Sequence, residues 1–220
     1  MTYLNILNNV LRRLREEEVT NVAENTYAKM VGDFINDAKT LVEEAADWSA
    51  LRTTISITTV TDAVDSTQQR YVLTNCGDNV KIMSALNDTE NCYLAYQTKD
   101  WFNEQLYINP VVDGAPRYYT FDGLGANGDT QVLVSPRPTE AQTLRFDVIK
   151  RQADLTSDGD NLLVPEKPVI HLAVALLARE RGETGGTSTS EYFQIANKYL
   201  SDAIAIDAAK HPEEMIFRTI

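Results

Sequence analysis

Gly123-Leu124-Gly125-Ala126-Asn127-Gly128 fits the G-x-G-x-x-G pattern that cradles the pyrophosphate of a dinucleotide. That cradle needs a preceding strand, a tight turn and the exposed N–H groups of a following helix. No helix follows here. The chain continues Asp129-Thr130-Gln131-Val132-Leu133-Val134-Ser135-Pro136, a β-branched run stopped by proline, and arrives through Arg117-Tyr118-Tyr119-Thr120-Phe121. Both flanks read as strands. Three glycines with Asp122, Asn127 and Asp129 between two strands supply a hairpin loop, since glycine and asparagine accept positive φ at low cost. The segment predicts a β-hairpin, not a doubly wound nucleotide-binding sheet.

The same texture extends to either side. Thr53-Thr54-Ile55-Ser56-Ile57-Thr58-Thr59-Val60 is β-branched and alternating, and further strands are expected at Arg70 to Thr74, Val80 to Ala85, Cys92 to Tyr96, Arg117 to Phe121, Gln131 to Val134 and Leu144 to Lys150. Glycine, proline, asparagine or aspartate bounds each one. Strands this short and frequent predict an antiparallel sheet, curled into a barrel or folded into a sandwich, over residues 49–152.

Helical periodicity occupies both ends of the chain. Leu4, Leu7, Leu11 and Leu14 form one face of a helix ending near Arg15, with Arg12 to Glu18 as its solvated end and loop. Asn21 and Glu24 are spaced as a capping pair. Beyond them Tyr27, Val31, Phe34, Ala38, Leu41, Ala45 and Trp48 alternate spacings of four and three, the pattern of a bundle seam, with Trp48 seating the helix end. Glu43 and Glu44 fall on its polar side. After Pro165 and Pro168 comes Val169 to Ala178, apolar on nearly every face, which places that helix at the centre of a bundle or between subunits. Gly182 stops it. Ser188 and Glu191 are spaced to cap a last helix carrying Phe193, Ala196, Leu200, Ala203, Ile204 and Asp207 down to His211-Pro212. The expected fold is α+β, a four-helix bundle from residues 1–48 and 153–210 with an inserted antiparallel β barrel or sandwich over 49–152. Residues 211–220 form a C-terminal arm.

Composition narrows the function. The net charge of −12 is spread along the chain, each of the three segments being acidic, so phosphate is repelled and tight nucleic-acid binding through counterion release is disfavoured. No apolar run is long enough for a bilayer and the N-terminus has no leader pattern, so the product is expected to be cytosolic when made, with no membrane partner. Cys76 and Cys92 form no C-x-x-C pair and are expected as buried or half-buried thiols. The two histidines, His171 and His211, have no second metal ligand at i+3 or i+4, and His171 on its apolar helix reads as a core or interface residue. Asp154-x-Thr156-x-Asp158-Gly159 resembles the start of a calcium loop, but Glu166 closes it one residue late, and a polar turn leading to Pro165 is expected. No nucleophile elbow, P-loop or Cys–His pair is found. The expectation is no enzyme, no cofactor and no metal.

Several stretches together resemble the head-to-tail adaptor proteins of tailed bacteriophages, especially the tail tubular type beneath the portals of short-tailed phages. They are Tyr3-Leu4-Asn5-Ile6-Leu7 through Glu16, Asp37-Ala38-Lys39 through Arg52, Val164-Pro165 through Glu183, and Tyr199-Leu200-Ser201-Asp202-Ala203-Ile204. The resemblance implies a virion protein, a ring of about twelve copies below the portal with an axial channel for DNA, and a second interface with a tail or nozzle protein. On that footing the helices from Tyr27 to Trp48 and from Ile170 to Arg181 are expected to face neighbouring copies, with Tyr27, Val31, Phe34, His171, Ala175 and Arg179 as inter-subunit residues. Met215, Ile216, Phe217, Arg218 and Ile220 have no helix left to carry them, and either pack back on the bundle or extend to the portal. A phage tail carbohydrate-binding or receptor-recognition module is the alternative, resting on Trp101, Phe102, Tyr107, Tyr118 and Tyr119 as sugar-stacking rings.

If Gly123 to Gly128 is only a hairpin loop, titration calorimetry with NAD or ATP will give no saturable heat, and Gly125→Ala will leave no nucleotide affinity to lose. Micromolar binding of either would overturn this.

Overall fold

A computed structural model describes residues 1–60, 69–110, 112–182 and 187–210. The protein is α+β, and the described residues form five helices and two four-stranded sheets in two compact units. One unit is Met1–Leu51 together with the chain from Gln152 onward, and the other is Arg52–Arg151.

The helical unit begins with α1, Tyr3–Arg13. Thr2 makes no side-chain cap. The first two orphan N–H groups of the helix, on Tyr3 and Leu4, donate instead to the carbonyls of Asp160 and Asp158 at 2.8 and 3.3 Å. The Asp160 carboxylate accepts from the N–H groups of Thr156 and Ser157, and that of Asp158 from Val22. The stretch with calcium-loop spacing is thus a polar turn whose carbonyls cap a helix. Tyr3, Ile6, Leu7, Val10 and Leu11 are buried, whereas Leu4 and Leu14 lie half-exposed at the margin of the face.

The second helix, α2, spans Thr26–Ala45. Its cap is Asn25, whose side chain accepts from the Ala28 N–H at 2.7 Å; Asn21 and Glu24 close the turn before it, on Ala23 and Thr20. The buried face runs through Ala28, Val31, Ile35, Ala38 and Val42, turned from the expected stripe so that Phe34 is half-buried and Leu41 stays 47% exposed. Trp48 is buried beyond the end of the helix and donates its indole N–H to the Val42 carbonyl. Glu43 is buried rather than polar-side, because Lys39, one turn earlier, is buried with it 3.7 Å away. Of the last two helices, α4 (Glu166–Glu180) packs against α1, α2 and also α5 (Thr187–Ala209). Three neighbours explain why α4 is apolar nearly all round. Gly182, at φ 72°, ends it, and α5 starts one residue before the expected cap at Ser188.

In the β unit all seven expected strand regions are extended. They form β1 (Arg52–Thr58), β2 (Arg70–Val72), β3 (Val80–Asn87), β4 (Cys92–Tyr93), β5 (Ala95–Tyr96), β6 (Tyr118–Leu124), β7 (Thr130–Ser135) and β8 (Thr143–Lys150). The sheet orders are β1-β8-β3-β4 and β2-β7-β6-β5. The first is antiparallel throughout. In the second, β5 pairs with β6 in parallel, because the run Cys92–Tyr96 leaves one sheet for the other without turning back. Among the described residues no ladder joins the outer strands into a closed barrel; the two open sheets share one core of Tyr71, Tyr119 and Val132 against Leu144, Phe146 and Val148. Gly123 to Gly128 is the β6–β7 hairpin loop, with Gly123 and Gly128 at φ 93° and 81° and the Gly125 N–H on the Asp129 carbonyl. Between β5 and β6 lies a short helix that the strand pattern did not predict, α3 (Lys99–Asn103), capped by Thr98 and followed by a π-helical turn to Ile108.

Gly32 on α2 lies against the hydroxyl of buried Tyr3, where an added Cβ would force the ring to move. Gly32→Ala is expected to cost about 1–3 kcal/mol in urea unfolding, as overpacking does. Most of that cost should vanish in a Tyr3→Phe background, whereas equal costs in both backgrounds would place the strain elsewhere.

Candidate docking faces of the helical unit

The expected inter-subunit residues separate into two groups. Val31 and Ala175 are each 0% exposed within the unit and leave no surface for a neighbouring copy. A charge at Ala175 would therefore break the unit's own core, not a contact. Tyr27, Phe34 and His171 are half-buried, and Arg179 is exposed. The helix periodicity that nominated them is the same for a helix neighbour in the chain and for one in another copy, so burial alone separates the groups.

Tyr27 sits at the start of α2 under the Arg181 guanidinium, 5.1 Å from the ring centroid, and its hydroxyl accepts from the same group. Arg181 also pairs with Glu16 at 2.7 Å, tying the end of α4 to the loop after α1. On the other flank of α4, His171 stacks on Tyr199 of α5, centroids 4.5 Å apart and planes 19° off parallel. Arg13 of α1 approaches the His171 Nε2 at 3.3 Å, and Lys167 lies 5.8 Å from the Tyr199 ring centre. Burial, with Arg13 and Lys167 adding repulsion, holds the imidazole below its ordinary pKa, so Nε2 accepts from Arg13.

Next to this stack an open groove of about 420 Å³ runs between the start of α4 and the second half of α5, lined by Pro165, Lys167, Pro168, Tyr199, Asp202 and Ile206 among others. Ile206 is 67% exposed on its rim. Asp207 closes the far end. Its carboxylate accepts from the Ser49 N–H at 2.8 Å and the Ser49 hydroxyl at 2.6 Å, with Lys210 at 3.0 Å. Burial would raise this carboxyl, but the Ser49 and Lys210 bonds outweigh it and bring the pKa to about 2. Met215, Ile216, Phe217, Arg218 and Ile220, and with them His211, lie outside the described residues.

The aromatic set of the β unit is mostly spent on packing. Phe102 and Tyr119 are buried, and Trp101 packs on Phe102 and Tyr118 with centroids 5.2 and 5.0 Å apart, leaving Tyr107 exposed. Cys76 is buried and Cys92 half-buried, with neither in a disulfide. Among the described residues no group of three or more His, Cys, Asp or Glu is placed to hold a metal ion, and no helix is long and apolar enough to cross a membrane.

Leu41, Tyr192, Ile195 and Ile206 leave apolar side chains exposed on the helices of this unit. The chain belongs to the SU10 adaptor protein family, which it matches over residues 1–214; this is a family of structural adaptors of bacteriophages. No curated protein of similar sequence is found.

Asp207 supplies a pH signature for the seam between α5 and the turn after α2. With a folded pKa of about 2 against an ordinary 3.8, its stabilisation is complete above about pH 4 and is lost as pH falls through 2. Asp207→Asn should lower unfolding stability at pH 7 by about 1–3 kcal/mol, and the gap to wild type should close in acid. A gap constant from pH 7 to pH 2 would remove the charge from the explanation.

Proposed function

We propose that the protein is a structural virion adaptor that forms a ring, of about twelve copies, joining the portal to the tail, with DNA passing through its channel. The family match over residues 1–214 carries the proposal. The net charge of −12 agrees with it, since a wall that repels phosphate lets DNA slide without sticking. On this reading the helical unit makes the contacts between copies. The C-terminal residues Met215, Ile216, Phe217, Arg218 and Ile220 act as an arm that adds to an edge or groove of a portal subunit. Single arms are weak, and a ring of them gains through effective concentration.

Negative-stain imaging of the purified protein with its portal should show a ring seated on the portal's tail-facing end, and truncation after Lys210 should weaken seating at least tenfold. Wild type that never assembles on the portal sinks the adaptor reading. Undiminished seating after truncation removes the arm and leaves the rest.

A further inference from the structure

Among the described residues the groove between the start of α4 and the second half of α5 is open, with Pro165, Pro168, Ala203 and largely exposed Ile206 as its apolar wall. The Tyr199 ring stands at one end. Lys210, the last residue described, lines the other. There α5 is already tightening into a turn: the Lys210 N–H donates to the Asp207 carbonyl at 3.1 Å, three residues back instead of four. His211-Pro212 follows. A proline has no N–H to give and its ring strikes the carbonyl four residues earlier, so the sequence takes the chain off the axis of α5 at the mouth of the groove.

We infer that this groove is the seat, within the same chain, of the segment Met215-Ile216-Phe217 while the protein is free of its partners. The tether selects the occupant. A segment that sets out from a groove-lining residue is presented to the groove at an effective concentration in the millimolar range, which a separate molecule matches only by much tighter binding. The reach fits as well: Tyr199 lies eleven residues before Lys210, about 16 Å along the helix, and an extended chain covers that distance in about five residues. With His211 to Glu213 making the reversal, Met215 comes level with Ile206, and Phe217 nears Tyr199. Glu213 and Glu214 stay in water at the mouth. Successive side chains of an extended segment point to opposite sides, so Met215 and Phe217 enter the groove and Ile216 stays outside it. Arg218 then passes exposed Asp202 on the wall. The inference rests on the adaptor reading in one respect only: the residues assigned to the portal are those seated here, so docking requires their release.

Hydrogen exchange on the full chain, without portal, tests the seat. The amides of Met215 to Arg218 should exchange at least tenfold more slowly in wild type than in Ile206→Glu, a change at an exposed position, with Ile206→Ser as a milder partner should the glutamate lower the melting temperature. Met215→Ser and Phe217→Ser should each release the segment too, whereas Ile216→Ser should keep its protection within twofold of wild type. That protection should survive a hundredfold dilution. Equal exchange in wild type and the Ile206 variants overturns the seat, as does release by Ile216→Ser equal to that by Phe217→Ser. Protection that fades on dilution overturns it as well, since the groove would then hold another copy's segment. Failure to assemble on the portal sinks the adaptor reading and leaves the result of this measurement, made on the free chain, standing.

Discussion

An ammonium group with 1% of its side chain exposed must replace its water shell, and Lys39 does so with the last segment of chain that a helix would be expected to attract. Its Nζ donates to the carbonyls of Gln152 and Ala153 at 2.7 and 3.2 Å and lies 3.7 and 3.6 Å from Glu43 and Asp154. Leaving one partner of such a buried pair uncompensated costs about 3–5 kcal/mol, so the chain leaving the β unit has one favourable path. Asn36 extends the track by exchanging two hydrogen bonds with the backbone of Leu155. Asp158 and Asp160 then cap α1, and the Leu162 N–H reaches the Met1 carbonyl. One polar line on α2 therefore sets where α1 begins and where the chain enters α4.

Much of the protein's acidity has a similar local task. Asp129 accepts from the N–H groups of Asn75, Cys76 and Gly77, fastening the loop after β2 to the hairpin, and those bonds hold its carboxyl below the usual range. Asp160 is held low by Ser157 and Thr156, and Asp147 by the hydroxyls of Thr54 and Ser84 across β1, β8 and β3. Asp122 is shared by Arg70 and Lys99. A strongly negative total thus combines carboxylates that organise backbone with others, such as Asp33 and Asp37, that face outward. The first kind is fold chemistry, but hydrogen bonds to neutral groups leave those carboxylates charged, so both kinds contribute to the field a partner meets.

Local pattern made the elements legible wherever one neighbour decides a residue's environment. The β-branched runs became strands, the Gly123–Gly128 segment became a hairpin loop, and Trp48 seated the end of α2, each set by residues close in sequence. What depended on distant partners was not legible. The stripe of α2 turned because α4 and α1 both claim it, and Glu43 read as a polar-side charge because nothing in the local pattern shows Lys39 buried beside it on the carbonyl of Gln152. The parallel pairing of β5 followed from where Cys92–Tyr96 crosses between sheets, which no periodicity records. Of the expected inter-subunit residues, the sequence pattern could not say that Val31 and Ala175 are already used inside the unit while Tyr27, Phe34 and His171 keep part of their surface.

The β unit opens with Arg52 and its last strand ends at Lys150, and the two strands concerned are ladder partners, Arg52 lying opposite Ile149. Entry and exit are therefore about 5 Å apart, one interstrand spacing. A segment inserted through so narrow a doorway can be lengthened, exchanged or lost with little demand on its host, since a link of a residue or two would reconnect the ends. Lineages carrying this chain could remodel Arg52–Arg151 as a cassette while Lys39, Asn36 and the strap they grip kept the helical scaffold unchanged.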